Sequence, residues 1–296
     1  MEMPHQDHSK ISPTAKLVAY FRQFSDIPFA AEVAALMRAE DVFNEFLQGT
    51  DLTPEFLNWA APLAEARYKS VVSAIKREGM TQVLELASGL SLRGLALTED
   101  PEYTYVETDL PGITEEKRQI LSIIKSNQAL RERQNLFFHA VNILEFPQIS
   151  SAIRHFEPSR PVAVIHEGLF QYLSMSEKET AARHIHSVLS RFGGVWITPD
   201  FETKAELERR SYTHEEAQKL VQAVTGTTQR DLYNAAFDNQ EQIADFFSFL
   251  GFKLQSSPQI DGSYQLTAMQ NLGIPEANLN NYKSYGNIWV LRVVES

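Results

Sequence analysis

Three short stretches of this chain carry the residue types and spacing of a ligand-binding α/β edge. The first, Glu85-Leu86-Ala87-Ser88-Gly89-Leu90-Ser91-Leu92-Arg93-Gly94, closes an apolar run and leads into a helix. Small residues on such a turn let the backbone approach a ligand, and the next helix offers free N–H groups at its positive end. Glu85, Ala87 and Gly89 are therefore read as cofactor contacts. The second, Tyr105-Val106-Glu107-Thr108-Asp109, ends the next strand about 20 residues on, where doubly wound folds set an acid against ribose hydroxyls. Glu107 and Asp109 share a face if the strand continues, so either can serve, and a solvated strand-end acid is the plainer alternative. The third, His166-Glu167-Gly168-Leu169-Phe170-Gln171-Tyr172-Leu173, closes a fourth strand, with Glu167 assigned to the cofactor and Tyr172 to the second substrate. His166 is a secondary catalytic candidate, since a histidine beside a strand is more often a satisfied structural residue.

The elements that must position these stretches can be read from periodicity. Ala15 to Phe24, Ala30 to Leu36, Val42 to Leu47 and Phe56 to Lys76 read as consecutive helices without a strand signal. After Gly79 the period changes. Strands are expected at Val83 to Ala87, Tyr103 to Glu107, Leu136 to Val141, Val162 to His166, Val195 to Thr198, Lys253 to Ser257 and Asn287 to Val294. Helices Glu115 to Gln134, Glu177 to Phe192 and Glu241 to Leu250 fall between them. This alternation implies an α/β fold with a doubly wound, mostly parallel, seven-stranded Rossmann-like sheet ending in an antiparallel pair. Residues 1–79 form an N-terminal helical cap, residues 80–296 the sheet domain, and the polar stretch near 202–238 a helical insertion.

Composition narrows the partners. A formal charge of -11 argues against nucleic acid, whose binding relies on Lys and Arg neutralising phosphates. The absence of cysteine removes disulfides and thiolate metal sites, and no apolar run nears the ~20 residues of a membrane span. His184 and His186 lie two apart on a predicted helix, so their side chains diverge and no metal site is expected. Gly-x-Ser-x-Gly, Walker and His-Glu-x-x-His motifs are lacking, as is the glycine fingerprint of a nicotinamide oxidoreductase. A cytoplasmic protein acting on a small molecule is the expectation.

From about Thr14 to Val293 these segments resemble the leucine carboxyl methyltransferase family, including its bacterial small-molecule O-methyltransferases. Leu86-Ala87-Ser88-Gly89-Leu90-Ser91-Leu92-Arg93 is similar to that family's Leu-Gly-Ala-Gly-Leu-Asp-Thr-Arg loop. Glu107-Thr108-Asp109-Leu110-Pro111 with Lys117-Arg118 resembles its Glu-Val-Asp-x-Pro…Lys-Arg segment, and Glu167-Gly168-Leu169-Phe170-Gln171-Tyr172-Leu173 its Glu-Gly-Leu-x-x-Tyr-Leu motif. The resemblance implies S-adenosylmethionine as cofactor, with Gly89 along its methionyl part, Asp109 on ribose, Glu167 against the cofactor and Arg67 paired with its carboxylate. Two positions depart from the pattern: Ser91 replaces an Asp, and Asn142-Ile143 replaces the Asp-Leu pair that meets adenine, where Asn still offers a carbonyl.

Methyl transfer requires alignment in a dry pocket more than catalytic side chains. A carboxylate acceptor needs no base, whereas a hydroxyl wants one, and His166 is the candidate placed for it. Tyr20, Arg22, Tyr68 and Lys69 from the helical cap, with Phe201 and Tyr212 from the insertion, are expected to wall the acceptor pocket, Arg22 or Lys69 orienting a carboxylate. The alternative function is a catalytically degenerate S-adenosylmethionine-binding protein with a regulatory or assembly role. Neither the acceptor nor the oligomeric state is specified by these motifs.

Overall fold

The computed structural model describes residues 12–48, 55–207, 232–283 and 286–294. Helices α1 (Ser12–Arg22), α2 (Ala30–Leu36), α3 (Ala39–Gln48) and α4 (Phe56–Arg77) precede the first strand, as their helical periodicity predicts. Strands β1 (Gln82–Leu86), β2 (Thr104–Asp109), β3 (Leu136–Ala140), β4 (Val162–His166) and β5 (Gly194–Thr198) follow in alternation with helices α5 (Arg93–Leu97), α6 (Pro111–Gln128), α7 (Phe146–Ala152) and α8 (Met175–Phe192). Past β5 come α9 (Leu232–Ala235), within the expected insertion, then α10 (Gln240–Phe249), β6 (Phe252–Pro258), α11 (Thr267–Asn271), α12 (Leu279–Tyr282) and β7 (Asn287–Val293).

The sheet has seven strands in the order β3-β2-β1-β4-β5-β7-β6. β1 through β5 pair in parallel and β7 pairs antiparallel with both β5 and β6. The order reverses between β1 and β4, so their neighbouring carboxyl ends open the crevice where doubly wound sheets bind ligands. Strand alternation feeds two cores. Leu84, Val106, Val164 and Trp196 pack with α7, α8 and α10 on one face, while Val83, Tyr105, Ile165 and Ile197 pack with α4 and α6 on the other.

Boundaries moved where local chemistry decided them. α6 begins at Pro111, four residues before the predicted start, because proline suits the first helical position. It ends at Gln128, with Ala129 left-handed at φ 49°. α8 starts on a capping box in which Ser174 Oγ accepts from the Glu177 amide at 3.3 Å and the Ser174 amide donates to Glu177 at 2.7 Å. α7, α11 and α12 lie in stretches where no helix is expected from the sequence. α11 is fastened by Glu65, a buried acid of α4 that accepts from the amides of Thr267 at 2.9 Å and Ala268 at 2.8 Å.

The helical cap is not set apart from the sheet. Ala19 of α1, Val33 of α2 and Val71, Ala74 and Ile75 of α4 share one core with Val83, Tyr105, Val195 and Ile288 of the strands. The insertion leaves after β5, and its described ends close on each other: Lys204 N donates to Phe237 O at 2.7 Å and Phe237 N to Glu202 O at 3.1 Å. No helix of the described residues is long and apolar enough to cross a membrane.

Candidate active site

Between the carboxyl ends of the parallel strands and the N-terminal helices lies a cavity of about 350 Å³. Its floor is the β1–α5 loop from Leu86 to Leu92, its sides are Thr108 to Leu110, Val141 to Leu144 and Glu167 to Leu169, and its roof comes from α1, α2 and α4. Ala87, Gly89, Asp109, Asn142, Ile143, Glu167, Arg67, Arg22 and Tyr172 all line it. The tertiary fold thus gathers residues from six separate stretches around one space.

The loop is built for close approach. Ala87 is held left-handed at φ 49°, where the resembled family has glycine, and Gly89 follows at φ 54°. A Cβ on Gly89 would meet no protein atom within 4 Å, so that position opens on the cavity. Asp109 anchors the loop by accepting from the Gly89 amide at 2.7 Å, and from the Leu110 amide, also at 2.7 Å. Burial raises its carboxyl above the ordinary value against the pull of those amides. Each carboxylate oxygen keeps a second lone pair for a ligand hydroxyl. Ser91 Oγ accepts from the Arg93 amide at 3.3 Å, and Asn142 Oδ1 accepts from the Leu144 amide at 3.1 Å, so both departures from the family pattern have local structural work.

Glu107 lies one layer lower. It pairs with buried Lys117 and accepts from the Gly94 amide at 3.0 Å, and burial pushes its carboxyl up to about 7. Of the two acids on this strand face, Asp109 alone lines the cavity. Glu85 is likewise inside the sheet: it pairs with Arg93, accepts from Tyr105 Oη at 2.8 Å and does not line the cavity. The expected cofactor contact at Glu85 is therefore corrected. A residue within the strand stops short of the carboxyl edge, outside which the ligand lies.

Glu167 is the hub of an ionic network. Arg93 Nη2 reaches its Oε2 at 2.7 Å, Arg22 pairs with its Oε1, and Arg67 Nε stands 3.7 Å from Oε1. Burial alone would raise the Glu167 carboxyl, but these three guanidiniums hold it below its ordinary value. Tyr68 lies between two of them, 4.5 Å from Arg93 and 5.4 Å from Arg22, and burial pushes its phenol up to about 12. Arg67 also bonds Asp200 at 2.6 Å and lies 3.8 Å from Glu202. Arg22 Nε is buried and finds no partner among the described residues.

Asp200, two residues beyond the predicted end of β5, is absent from the sequence-based candidates. Its buried carboxylate accepts from the amides of Gly168 and Leu169, both at 2.8 Å, from Phe170 at 3.2 Å and from His166 Nδ1 at 2.8 Å. Despite burial, these donors and Arg67 hold its carboxyl far below the ordinary range. Glu202 and Arg93 were missed as well. Arg93 stood in the quoted loop, and its position at the start of α5 was the available signal.

The acceptor-side expectations need most correction. His166 is wholly buried, stacked 4.6 Å from Phe170, with Nδ1 on Asp200 and 3.1 Å from Thr198 Oγ1. It does not line the cavity, so it orients Asp200 instead of meeting an acceptor. Tyr20 belongs to the helical core, stacked 4.4 Å from Phe43, and Lys69 is committed to Asp26 at 2.5 Å and Glu65 at 2.6 Å. Phe201 is buried against Phe247 at 4.3 Å. Helix periodicity explains the first two, each two residues from a cavity residue and so pointing elsewhere, while Phe201, beyond the end of β5, turns its ring into the core. Tyr212 lies outside the described residues. Tyr172 lines the cavity, and burial raises its phenol, so it is a protonated donor at neutral pH.

A seven-stranded sheet of this order, with a helical roof over its switch point, is the class I methyltransferase fold. Residues 48–186 match the family model for leucine carboxyl methyltransferase. A provisionally named S-adenosyl-L-methionine-dependent methyltransferase of Mycolicibacterium paratuberculosis is 32% identical over 174 residues, 55% of each chain. Another so named, from Mycolicibacterium gilvum, is 29% identical, covering 56% of this chain and 59% of its own. The matched region spans a little over half the length of these curated relatives. Among solved structures, a provisionally named methyltransferase from Thermobifida fusca covers 99% of this chain and 98% of its own, with a TM-score of 0.58 at 15% identity. A family protein of Streptomyces avermitilis gives 0.59 at 13% identity, covering 97% of this chain and all of its own. At these identities the likeness is one of fold.

Proposed function

We propose that this protein is an S-adenosylmethionine-dependent O-methyltransferase acting on the carboxylate or hydroxyl of a small molecule. The observation that carries the reading is the single cavity that joins the open, left-handed β1–α5 loop, Asp109 and Glu167 beneath a helical roof. The residues present fit the cofactor. Asp109 and the backbone of the loop suit ribose, Asn142 and Ile143 stand at the adenine side, and the unpartnered Arg22 Nε and Arg67 suit the methionyl carboxylate, with Glu167 left for the ammonium.

S-adenosylmethionine, when bound, supplies a methyl group on a sulfonium that is already a good leaving group. The chain's own part is alignment and dryness. The ionic network locks Glu167 and Arg67 in place, Asp200 holds the backbone after β4, and the roof residues exclude water. Tyr172 can donate a hydrogen bond to the acceptor from a phenol that stays protonated.

Calorimetry with S-adenosylhomocysteine and with nicotinamide dinucleotides tests this reading. Binding of the former and not the latter is expected, with Asp109→Ala weakening it by about 1–3 kcal/mol. Binding of a nicotinamide dinucleotide with none of S-adenosylhomocysteine would overturn it.

A further inference from the structure

The β1–α5 loop turns on two left-handed residues, Ala87 at φ 49° and Gly89 at φ 54°, which flank Ser88. Glycine takes that conformation freely, whereas alanine takes it at a cost, because its Cβ crowds the following carbonyl oxygen. A non-glycine residue stays there only where its surroundings hold it. Two other elements do so. From β2, Thr108 O accepts from the Ser88 amide at 2.9 Å and Asp109 Oδ2 from the Gly89 amide at 2.7 Å. From α6, Lys117 Nζ donates to Ser88 Oγ at 2.9 Å and reaches the Ser88 carbonyl at 3.4 Å.

Lys117 is a rigid donor. It is buried, and its ammonium pairs with Glu107, which is itself fixed by the Gly94 amide at 3.0 Å. Ser88 Oγ finds no other partner among the described residues. The chain differs from the Gly-Ala-Gly of the loop it resembles at two adjacent positions: Ala87 introduces the strain, and Ser88 introduces the acceptor that Lys117 uses.

Resting on the methyltransferase reading above, we propose that Lys117 is a positioning residue for the cofactor loop, holding the strained Ala87 turn through Ser88 in the shape that binds S-adenosylmethionine. Lys117 stands outside the cavity, whereas Ala87, Ser88 and Gly89 line it, so the lysine acts only through the loop.

Two small substitutions separate the parts. Ser88→Ala deletes the hydroxyl and with it the bond from Lys117, and Ala87→Gly removes the strain which that bond opposes. In the ligand-free protein, hydrogen exchange of the Gly89 amide is expected to quicken about tenfold in Ser88→Ala, while the Val164 amide in β4 keeps its wild-type rate. By calorimetry, S-adenosylhomocysteine affinity is expected to fall about tenfold in Ser88→Ala and to return to within about threefold of wild type when Ala87→Gly is added. A serine that merely touched the cofactor would show the same loss, but Ala87→Gly would not restore it. In the Lys117→Met, Glu107→Gln protein, which leaves no buried charge unpaired, adding Ser88→Ala is expected to change Gly89 exchange no further.

A wild-type protein that binds no S-adenosylhomocysteine overturns the methyltransferase reading, and the exchange rates then judge the loop coupling by themselves. Unchanged Gly89 exchange in Ser88→Ala overturns the proposal. So does an affinity lost in Ser88→Ala and not recovered with Ala87→Gly, or a further acceleration when Ser88→Ala is added to the Lys117→Met, Glu107→Gln protein.

Discussion

At the scale of single residues, the site is organised from behind the cavity wall, where Asp200 lies. Asp200 gathers three backbone amides, one histidine nitrogen and Arg67 on two oxygens, and so fixes both the turn after β4 and a guanidinium of the cavity wall. Asp200→Asn keeps the shape but replaces one acceptor by a donor, which faces either the amides or Arg67 and leaves a buried group unpaired. The expected result is a loss of S-adenosylhomocysteine affinity of about 1–3 kcal/mol by calorimetry, with the fold retained by circular dichroism. Unchanged affinity would show that Asp200 serves the core alone. Cavity residues were legible where a motif ended a strand, as at Gly89, Asp109 and Glu167. They were misread where a neighbour in sequence was taken for a neighbour in space. Lys69 and Tyr20 lie two positions from Arg67 and Arg22, about 200° around the helix, and so face away.

At the scale of elements, α8 and the insertion are joined by a buried lysine. Lys178 of α8 donates to the Ala235 carbonyl and stands 5.4 Å over the Phe237 ring, and burial pulls its ammonium down to about 8. In the unfolded chain the same group holds its proton to about 10.4. Between these values the unfolded chain binds more protons, so raising the pH favours the folded state. Relative to Lys178→Met, the wild-type protein is expected to gain stability as pH rises from about 8 to about 10.4, with a slope of at most about 1.4 kcal/mol per pH unit. Denaturant titrations of the two proteins across that window check it, and parallel curves would refute it. The strands themselves follow their apolar runs closely because both sheet faces are covered, leaving few places for an alternating pattern to mislead.

At the scale of the whole molecule, the cavity is a joint between roof and sheet. Because α1, α2 and α4 share a core with the strands, the roof and sheet domain are expected to unfold in one cooperative transition by calorimetry. S-adenosylhomocysteine at about 100 times its Kd should raise the unfolding free energy by about 2.7 kcal/mol and move that transition as a unit. Two transitions, of which the ligand shifts one, would mean that the roof melts separately.

What the sequence determined by itself was the sheet, its parallel majority, its antiparallel end and the three loops at its carboxyl edge. Those depend on local periodicity and on turn chemistry within a few residues, which the order of residues states directly. Tertiary structure alone decided which charges meet. The network of Glu167 with Arg22, Arg67 and Arg93 joins positions up to 145 residues apart in the chain. It likewise placed His166 in the core and put Glu202 on the cavity wall, because the direction of a side chain depends on which face its element buries, and burial is settled only when the elements pack.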